Sequence, residues 1–252
     1  MRNNIDVIGI IPARYESSRL THKLLRTVYG KPLIQWAWES ASKASLLDGL
    51  IIACDDAKIK KAAESFGATA VMTSTKHQSG TDRIAEAIRD IDAKIVINIQ
   101  ADEPLMHHSV IDSLAREMLN NPTTLMATVK KKIETEEDAN NPNIVKLISD
   151  KNGFAIYFSR YPIPYYRDSA EEKKHYKHLG IYAYTKDFLY TFKNLPASYL
   201  EKAERLEQLR AIEAGYKIKT IETRLESIGV DTEEDLIKVE AAFKTRADKG
   251  DK

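Results

Sequence analysis

The sequence predicts an α/β protein with a mostly parallel sheet flanked by helices. Four short apolar, β-branched runs read as strands buried on both faces: IDVIGII (5–11), GLIIACD (49–55), ATAVM (68–72) and KIVINI (94–99). Between them, segments 32–44, 57–67 and 81–91 have the apolar spacing of helices. Strict alternation of the two implies βαβ units and hence parallel strands. With 252 residues and 43% hydrophobic content, the chain can build one large domain around a sizeable core.

Taken in order, the strand at 5–11 runs into a loop, IPARYESSRLTHK, and then into the helix PLIQWAWESASKA. Asp55 and Asp56 stand where an N-cap opens the helix at 57–66, and Gly67 closes it as a C-cap glycine does. The middle of the chain changes character. LMATVKKKI (125–133), IVKLISD (144–150), FAIYFSR (154–160) and HLGIYAYT (178–185) are shorter and more aromatic, and suit edge strands or a small β-rich excursion. Two prolines, many charges and no period make 161–177 a loop. Helices at 186–193 and about 199–214, a strand at 216–222 and an amphipathic helix at 232–245 complete the chain. The expected organisation is a single domain over 1–245, with about 125–185 as a subregion and 246–252 as a polar tail.

The charges, 38 basic against 37 acidic, leave no global field for nucleic acid or a membrane surface, so any anion site must be local. No apolar run approaches a membrane span and none reads as a signal peptide, which makes a cytoplasmic protein the default expectation. One cysteine, Cys54, excludes a disulfide framework and a cysteine zinc site; its apolar strand context makes it a core thiol.

Ligands of open parallel sheets bind beyond the carboxyl ends of the strands. The loop after the first strand carries Arg14, Arg19 and Lys23, with Ser17 and Ser18 between them. That set suits an oligophosphate or, more simply, a solvated basic loop. In NIQADEP, Asp102 and Glu103 follow a strand directly, as Mg²⁺ ligands do; the competing reading is a helix cap ahead of Pro104. In SIGVDTEEDL, Asp231 is either a second metal carboxylate or the N-cap of a capping box. HQSGTDR (77–83) is either a turn offering amides to a polar ligand or only a turn before a helix.

Taken together, IPARYESSRL, GKPLIQW, MTSTKHQSGTDR, NIQADEP, NPNIVK, YFSR, KHLGIYAYT, LEQLR and GVDTEEDL occur in an order that resembles the 3-deoxy-manno-octulosonate (Kdo) cytidylyltransferases, from residue 10 to 245. The resemblance implies a Rossmann-like (GT-A-like) nucleotidyltransferase fold with a dimerisation excursion, working as a homodimer. It implies Mg²⁺-dependent transfer of CMP from CTP to a 2-keto-3-deoxy sugar acid, with loss of pyrophosphate, for lipopolysaccharide synthesis. Carried over residue by residue, Arg14, Ser17, Arg19 and Lys23 would hold the CTP triphosphate. Ser79, Gly80 and Arg83 would lie against the cytidine, and Asp102 and Asp231 would ligate Mg²⁺. Lys23, Asp102 and Asp231 would be the catalytic set. Gln100, Arg160, His178, Tyr182, Glu207 and Gln208 would shape the sugar pocket. Apart from the resemblance, His178 reads as a core histidine and Glu207 as a solvated helix position.

Two loops depart from the family pattern. R-L-P-G-K-P is here Arg19-Leu20-Thr21-His22-Lys23-Leu24, and Q-G-D-E-P is here Gln100-Ala101-Asp102-Glu103-Pro104. Both changes lie in the expected site loops. They leave room for a cytidylyltransferase of a variant sugar, such as 8-amino-8-deoxy-Kdo or another nonulosonic acid, or for a binder without turnover. The retained Arg14, Lys23, Asp102 and Asp231 argue against the last.

Overall fold

The structure is a computed structural model that describes residues 5–17, 20–168 and 173–248. The chain divides into two compact units, Met1–Asp112 with Glu226–Lys252, and Ser113–Leu225.

The first unit opens with β1 (Ile5–Ala13), the short hairpin β2 (Thr27–Val28) and β3 (Lys31–Pro32), and α1 (Leu33–Ala41). It continues through β4 (Gly49–Cys54), α2 (Ala57–Ser65), β5 (Thr69–Met72), α3 (Gly80–Ala87) and β6 (Ala93–Asn98) into α4 (His108–Asn120), within which the chain passes to the second unit. Its strands lie in the order β6-β1-β4-β5, every neighbour parallel. Burial on both faces explains the apolar runs of β1 and β6, where Val7, Ile8, Ile10, Ile11, Val96 and Ile97 are all buried, but not that of β5, whose residues are half-buried or exposed, so ATAVM is not the doubly buried strand expected. Cys54 is buried at the end of β4, and that burial pushes its thiol pKa up to about 11. Asp56 alone caps α2, its carboxylate accepting from Lys58 N at 2.7 Å, and Gly67 leaves the helix at φ 86°.

The second unit holds β7 (Met126–Lys132), α5 (Glu136–Asn140), β8 (Lys146–Ser149), β9 (Ala155–Ser159) and β10 (Tyr176–Thr185). It ends with α6 (Lys186–Asn194), α7 (Tyr199–Glu204), α8 (Leu209–Glu213) and β11 (Ile218–Thr223). β7 is parallel to β11 and antiparallel to β10; β8 pairs antiparallel with β9 and β10. The β-rich middle is therefore present. The helix expected over 199–214 is two helices, because Arg205 turns left-handed at φ 55° and Leu206 to Gln208 form the bend between them. The loop after β9 is fastened at its base: the Tyr166 hydroxyl accepts from Lys174 N at 2.7 Å. The chain returns to the first unit for α9 (Glu233–Asp248), which runs beyond the expected end at 245.

Candidate active site

At the carboxyl ends of β1, β4 and β6 in the first unit lies a cavity of about 300 Å³. Arg14, Ser17 and Lys23 of the first loop line it, as do Ser79, Gly80 and Arg83 of the α3 turn and Gln100 and Asp102 after β6. Eight residues singled out in the sequence thus face one space. Arg19 lies outside the described residues. Ala101, one of the departures from the family pattern, lines the same cavity, as do Pro12, Leu24, His77 and Gln78, which were not singled out. His77 and Gln78 immediately precede Ser79 in the motif that offers a ligand turn, which was the available signal. The His77 ring contacts the Glu86 carboxylate, which Ser74 N and then His77 hold below its ordinary pKa.

The α3 turn is built by its own capping. The Ser79 hydroxyl accepts from Asp82 N at 3.1 Å and donates to Asp82 Oδ2 at 3.0 Å. Arg83 is 4% exposed and committed to protein: its Nη2 meets Asp55 Oδ2 at 2.9 Å and its Nη1 the Thr73 hydroxyl at 2.6 Å. The other Asp55 oxygen accepts from Tyr15 N at 2.8 Å. Asp55 is therefore not a helix cap; it fastens the first loop to the α3 turn.

Lys23 is the centre of the site. Its ammonium donates to Asp102 Oδ2 at 2.7 Å, Asp231 Oδ1 at 3.1 Å and Val230 O at 2.7 Å. Val230 N in turn donates to Asp102 O at 2.9 Å. Residues 23, 102 and 231 come together because the irregular approach to α9 is tied to the loop after β6 by Val230 N and to Lys23 by Val230 O. Both capping alternatives fail. Thr232 caps α9, its hydroxyl accepting from Asp235 N at 3.3 Å while the Asp235 carboxylate accepts from Thr232 N at 3.1 Å. That leaves the Asp231 carboxylate for Lys23. No helix starts at Pro104; α4 begins four residues later. Glu103 instead accepts from the Ser227 hydroxyl at 2.7 Å.

The two departures from the family pattern have distinct consequences. His22 takes the left-handed conformation, φ 52° and ψ 35°, that a glycine would adopt without strain. Its ring stacks on Tyr15 with centroids 4.1 Å apart, a contact no glycine makes. Ala101 is not among the non-glycine residues of positive φ, so its methyl enters the cavity wall without backbone strain.

The sugar-pocket candidates other than Gln100 lie in the second unit. A bulge in β10 between Leu179 and Tyr182 brings the rings of His178 and Tyr182 to 5.2 Å. His178 keeps some exposed surface, yet surrounding protein pushes its pKa down to about 3, so the ring is neutral. Thr128 gives its hydroxyl proton to Ile181 O at 2.8 Å, and His178 Nε2 lies 3.0 Å from the Thr128 hydroxyl oxygen. That assigns the proton of the neutral ring to Nε2 and leaves Nδ1 an acceptor. The Tyr182 hydroxyl lies by Thr128 without a well-formed hydrogen bond, and Gln208 Nε2 is likewise buried and unmatched. Both are orphaned buried groups of the kind a polar ligand satisfies. Glu207 and Gln208 stand on the bend between α7 and α8, not on a helix face. Arg160 directly follows β9 and is half-buried.

The model of the cytidylyltransferase family matches residues 8–221. A 3-deoxy-manno-octulosonate cytidylyltransferase of Solibacter usitatus (strain Ellin6076) is 46% identical over 238 residues, 94% of each chain. The chain belongs to the 3-deoxy-manno-octulosonate cytidylyltransferase family. Another member, from Chloroherpeton thalassium (strain ATCC 35110 / GB-78), is 47% identical over 234 residues, covering 92% of this chain and 95% of that one. Among solved structures, a CMP:2-keto-3-deoxy-manno-octonic acid synthetase complexed with CTP is similar with a TM-score of 0.91. It is 40% identical, and the match covers 96% of this chain and 99% of that chain.

Proposed function

We propose that this chain transfers CMP from CTP to the anomeric hydroxyl of 3-deoxy-D-manno-octulosonate, releasing pyrophosphate. The observation that carries the reading is the meeting of Lys23, Asp102 and Asp231 beside the first loop, in a chain of this family. The sugar oxygen attacks the α-phosphorus, the bond to the β-phosphate oxygen breaks, and the hydroxyl proton goes to solvent. No covalent intermediate on the protein is involved; positioning and charge carry the rate. Arg14, Ser17 and Lys23 face the cavity that would take the triphosphate, where cations oppose the charge developing on the leaving pyrophosphate. Arg83, pinned by Asp55, would form a fixed wall against the cytidine.

Asp102 and Asp231 fit Mg²⁺: their oxygens converge on one cationic atom, and hard oxygen donors suit that ion. Bound there, it would supply positive charge to the α-phosphate and acidity to the sugar hydroxyl. Lys23 neutralises both carboxylates until the nucleotide arrives and then turns its ammonium to the triphosphate. On the sugar side, Arg160 would pair with the carboxylate, His178 Nδ1 would accept from a hydroxyl, and Tyr182 and Gln208 would satisfy their orphaned groups on the sugar. Glu207 would complete this pocket. The family resemblance further supports a cytoplasmic homodimer whose product serves lipopolysaccharide assembly.

Pyrophosphate release from CTP and Mg²⁺ with a panel of 2-keto-3-deoxy acids tests the reading. Kdo should be the best acceptor, ahead of its 8-amino-8-deoxy analogue and the nonulosonic acids. No release with any acceptor would overturn the assignment.

A further inference from the structure

Arg160, the proposed partner of the sugar carboxylate, is held by charged groups that have no assigned role. Lys146, the first residue of β8, is completely buried. Its ammonium donates to Asn141 O at 2.9 Å, Ile144 O at 2.7 Å and Arg160 O at 2.5 Å. None of these acceptors is a carboxylate. Burial, then the neighbouring Arg160 charge, depress its pKa. A methionine would fill the same space without burying a charge, but it would leave these three carbonyls without their shared donor, and with it the link between the turn at Asn141–Ile144 and the main chain of Arg160.

Glu204, the last residue of α7, grips the same residue from the other side. Its carboxylate accepts from Arg160 N at 2.9 Å and from the Ser159 hydroxyl at 2.8 Å, while its carbonyl accepts from Arg160 Nε at 2.8 Å. The main chain of Arg160 thus has its N–H on a carboxylate and its carbonyl on an ammonium. The side chain is also fixed: Arg160 Nη1 donates to Pro142 O at 2.9 Å. Pro142 lies in the turn whose Asn141 and Ile144 carbonyls Lys146 also holds. Helix α7 is itself anchored, by a capping box from Ser198 and Glu201 at one end and the left-handed Arg205 at the other.

We propose that Lys146 and Glu204 are positioning residues that jointly aim the Arg160 guanidinium at the carboxylate of the sugar acid. Lys146 fixes both the backbone that carries Arg160 and the turn that receives one of its nitrogens. Glu204 fixes the backbone N–H and Nε. The remaining Nη2 is then presented in a set direction, which paired recognition of a carboxylate requires. The inference rests on the reading that Arg160 receives that carboxylate.

The test is steady-state kinetics of the full chain, measured by pyrophosphate release, for Lys146→Met, Glu204→Gln, Arg160→Ala and the double variant Lys146→Met/Arg160→Ala. Lys146→Met and Glu204→Gln should each raise KM for the sugar acid about tenfold and leave KM for CTP within about twofold. Arg160→Ala should raise the sugar KM at least as much. Adding Lys146→Met to it should change that KM by less than about twofold, because the lysine acts through the arginine. Folded Lys146→Met and Glu204→Gln with an unchanged sugar KM, beside a raised one in Arg160→Ala, would overturn the positioning role alone. Independent, multiplying effects in the double variant would do the same. An unchanged sugar KM in Arg160→Ala would overturn the carboxylate reading and the positioning role with it. Should Lys146→Met fail to fold, Glu204→Gln and Glu204→Gln/Arg160→Ala decide by the same criteria.

Discussion

Lys23→Met should make the protein bind Mg²⁺ more tightly when no nucleotide is present, while damaging turnover. In the structure the ammonium occupies the point where the two proposed metal carboxylates converge, 2.7 Å from Asp102 and 3.1 Å from Asp231. An incoming divalent ion must displace those two contacts. The lysine side chain is 11% exposed, but the carboxylates are 33% and 45% exposed, so solvent screens each pair to about 1 kcal/mol. Removing both contacts should therefore favour the ion by about 2 kcal/mol, or roughly 30-fold in Kd. Calorimetric titration of Mg²⁺ into wild type and variant without CTP measures this. A thermal melt gives a second readout: the variant's two uncompensated carboxylates should make its Tm rise more steeply with Mg²⁺ than that of the wild type. Equal or weaker Mg²⁺ binding by Lys23→Met would refute the idea that lysine and metal share the carboxylates.

Asp102→Asn and Asp231→Asn should each cut pyrophosphate release by more than about a hundredfold, with circular dichroism unchanged, since each would lose a proposed metal carboxylate; retained turnover in either would remove that residue from the site. His22→Gly should shift unfolding free energy by no more than about 1 kcal/mol, because relief of the left-handed strain is offset by glycine's backbone entropy and the lost Tyr15 stack; urea denaturation checks it. His178 has a folded pKa depressed by burial to about 3, so its stabilising effect is present above the ordinary histidine pKa and is lost as pH falls from about 6.5 towards 3. In His178→Gln, the dependence of urea stability on pH should be flatter across that window. The difference should stay below the about 1.4 kcal/mol per pH unit of a fully shielded group. Cys54, with its thiol raised to about 11 by burial and then by Asp55, should resist alkylation at pH 8 until the protein unfolds, which mass spectrometry follows.

The buried strands of the first unit announce themselves, because a strand covered on both faces must be apolar throughout, as in IDVIGII and KIVINI. Helix α4 carried a signal that is easy to pass over. Val110, Ile111, Leu114, Ala115 and Met118 form its buried stripe, but the residue whose side chain caps its start is a histidine, His107, rather than one of the usual Ser, Thr, Asp or Asn, and the preceding NIQADEP invites a ligand-loop reading. The break between α7 and α8 has no glycine or proline to mark it; it depends on Arg205 accepting a left-handed conformation that only tertiary packing rewards. The site loops were visible as motifs, yet three features needed coordinates. Thr232 rather than Asp231 caps α9, Asp55 serves Tyr15 and Arg83 rather than a helix, and Lys23 reaches both carboxylates at once. Each turns on which of several nearby acceptors a donor meets, and spacing along a chain does not encode that choice.

The first unit is assembled from two stretches of chain, and Asp231 lies on the second of them. Lys23 and Asp102 are made early, but the third member of their cluster arrives only after the whole of Ser113–Leu225 has been synthesised. A nascent chain or a proteolytic fragment ending before residue 231 holds Lys23 and Asp102 without the carboxylate that the proposed mechanism needs. Such fragments should therefore show no turnover of CTP, and separately expressed pieces should regain it only when they recombine.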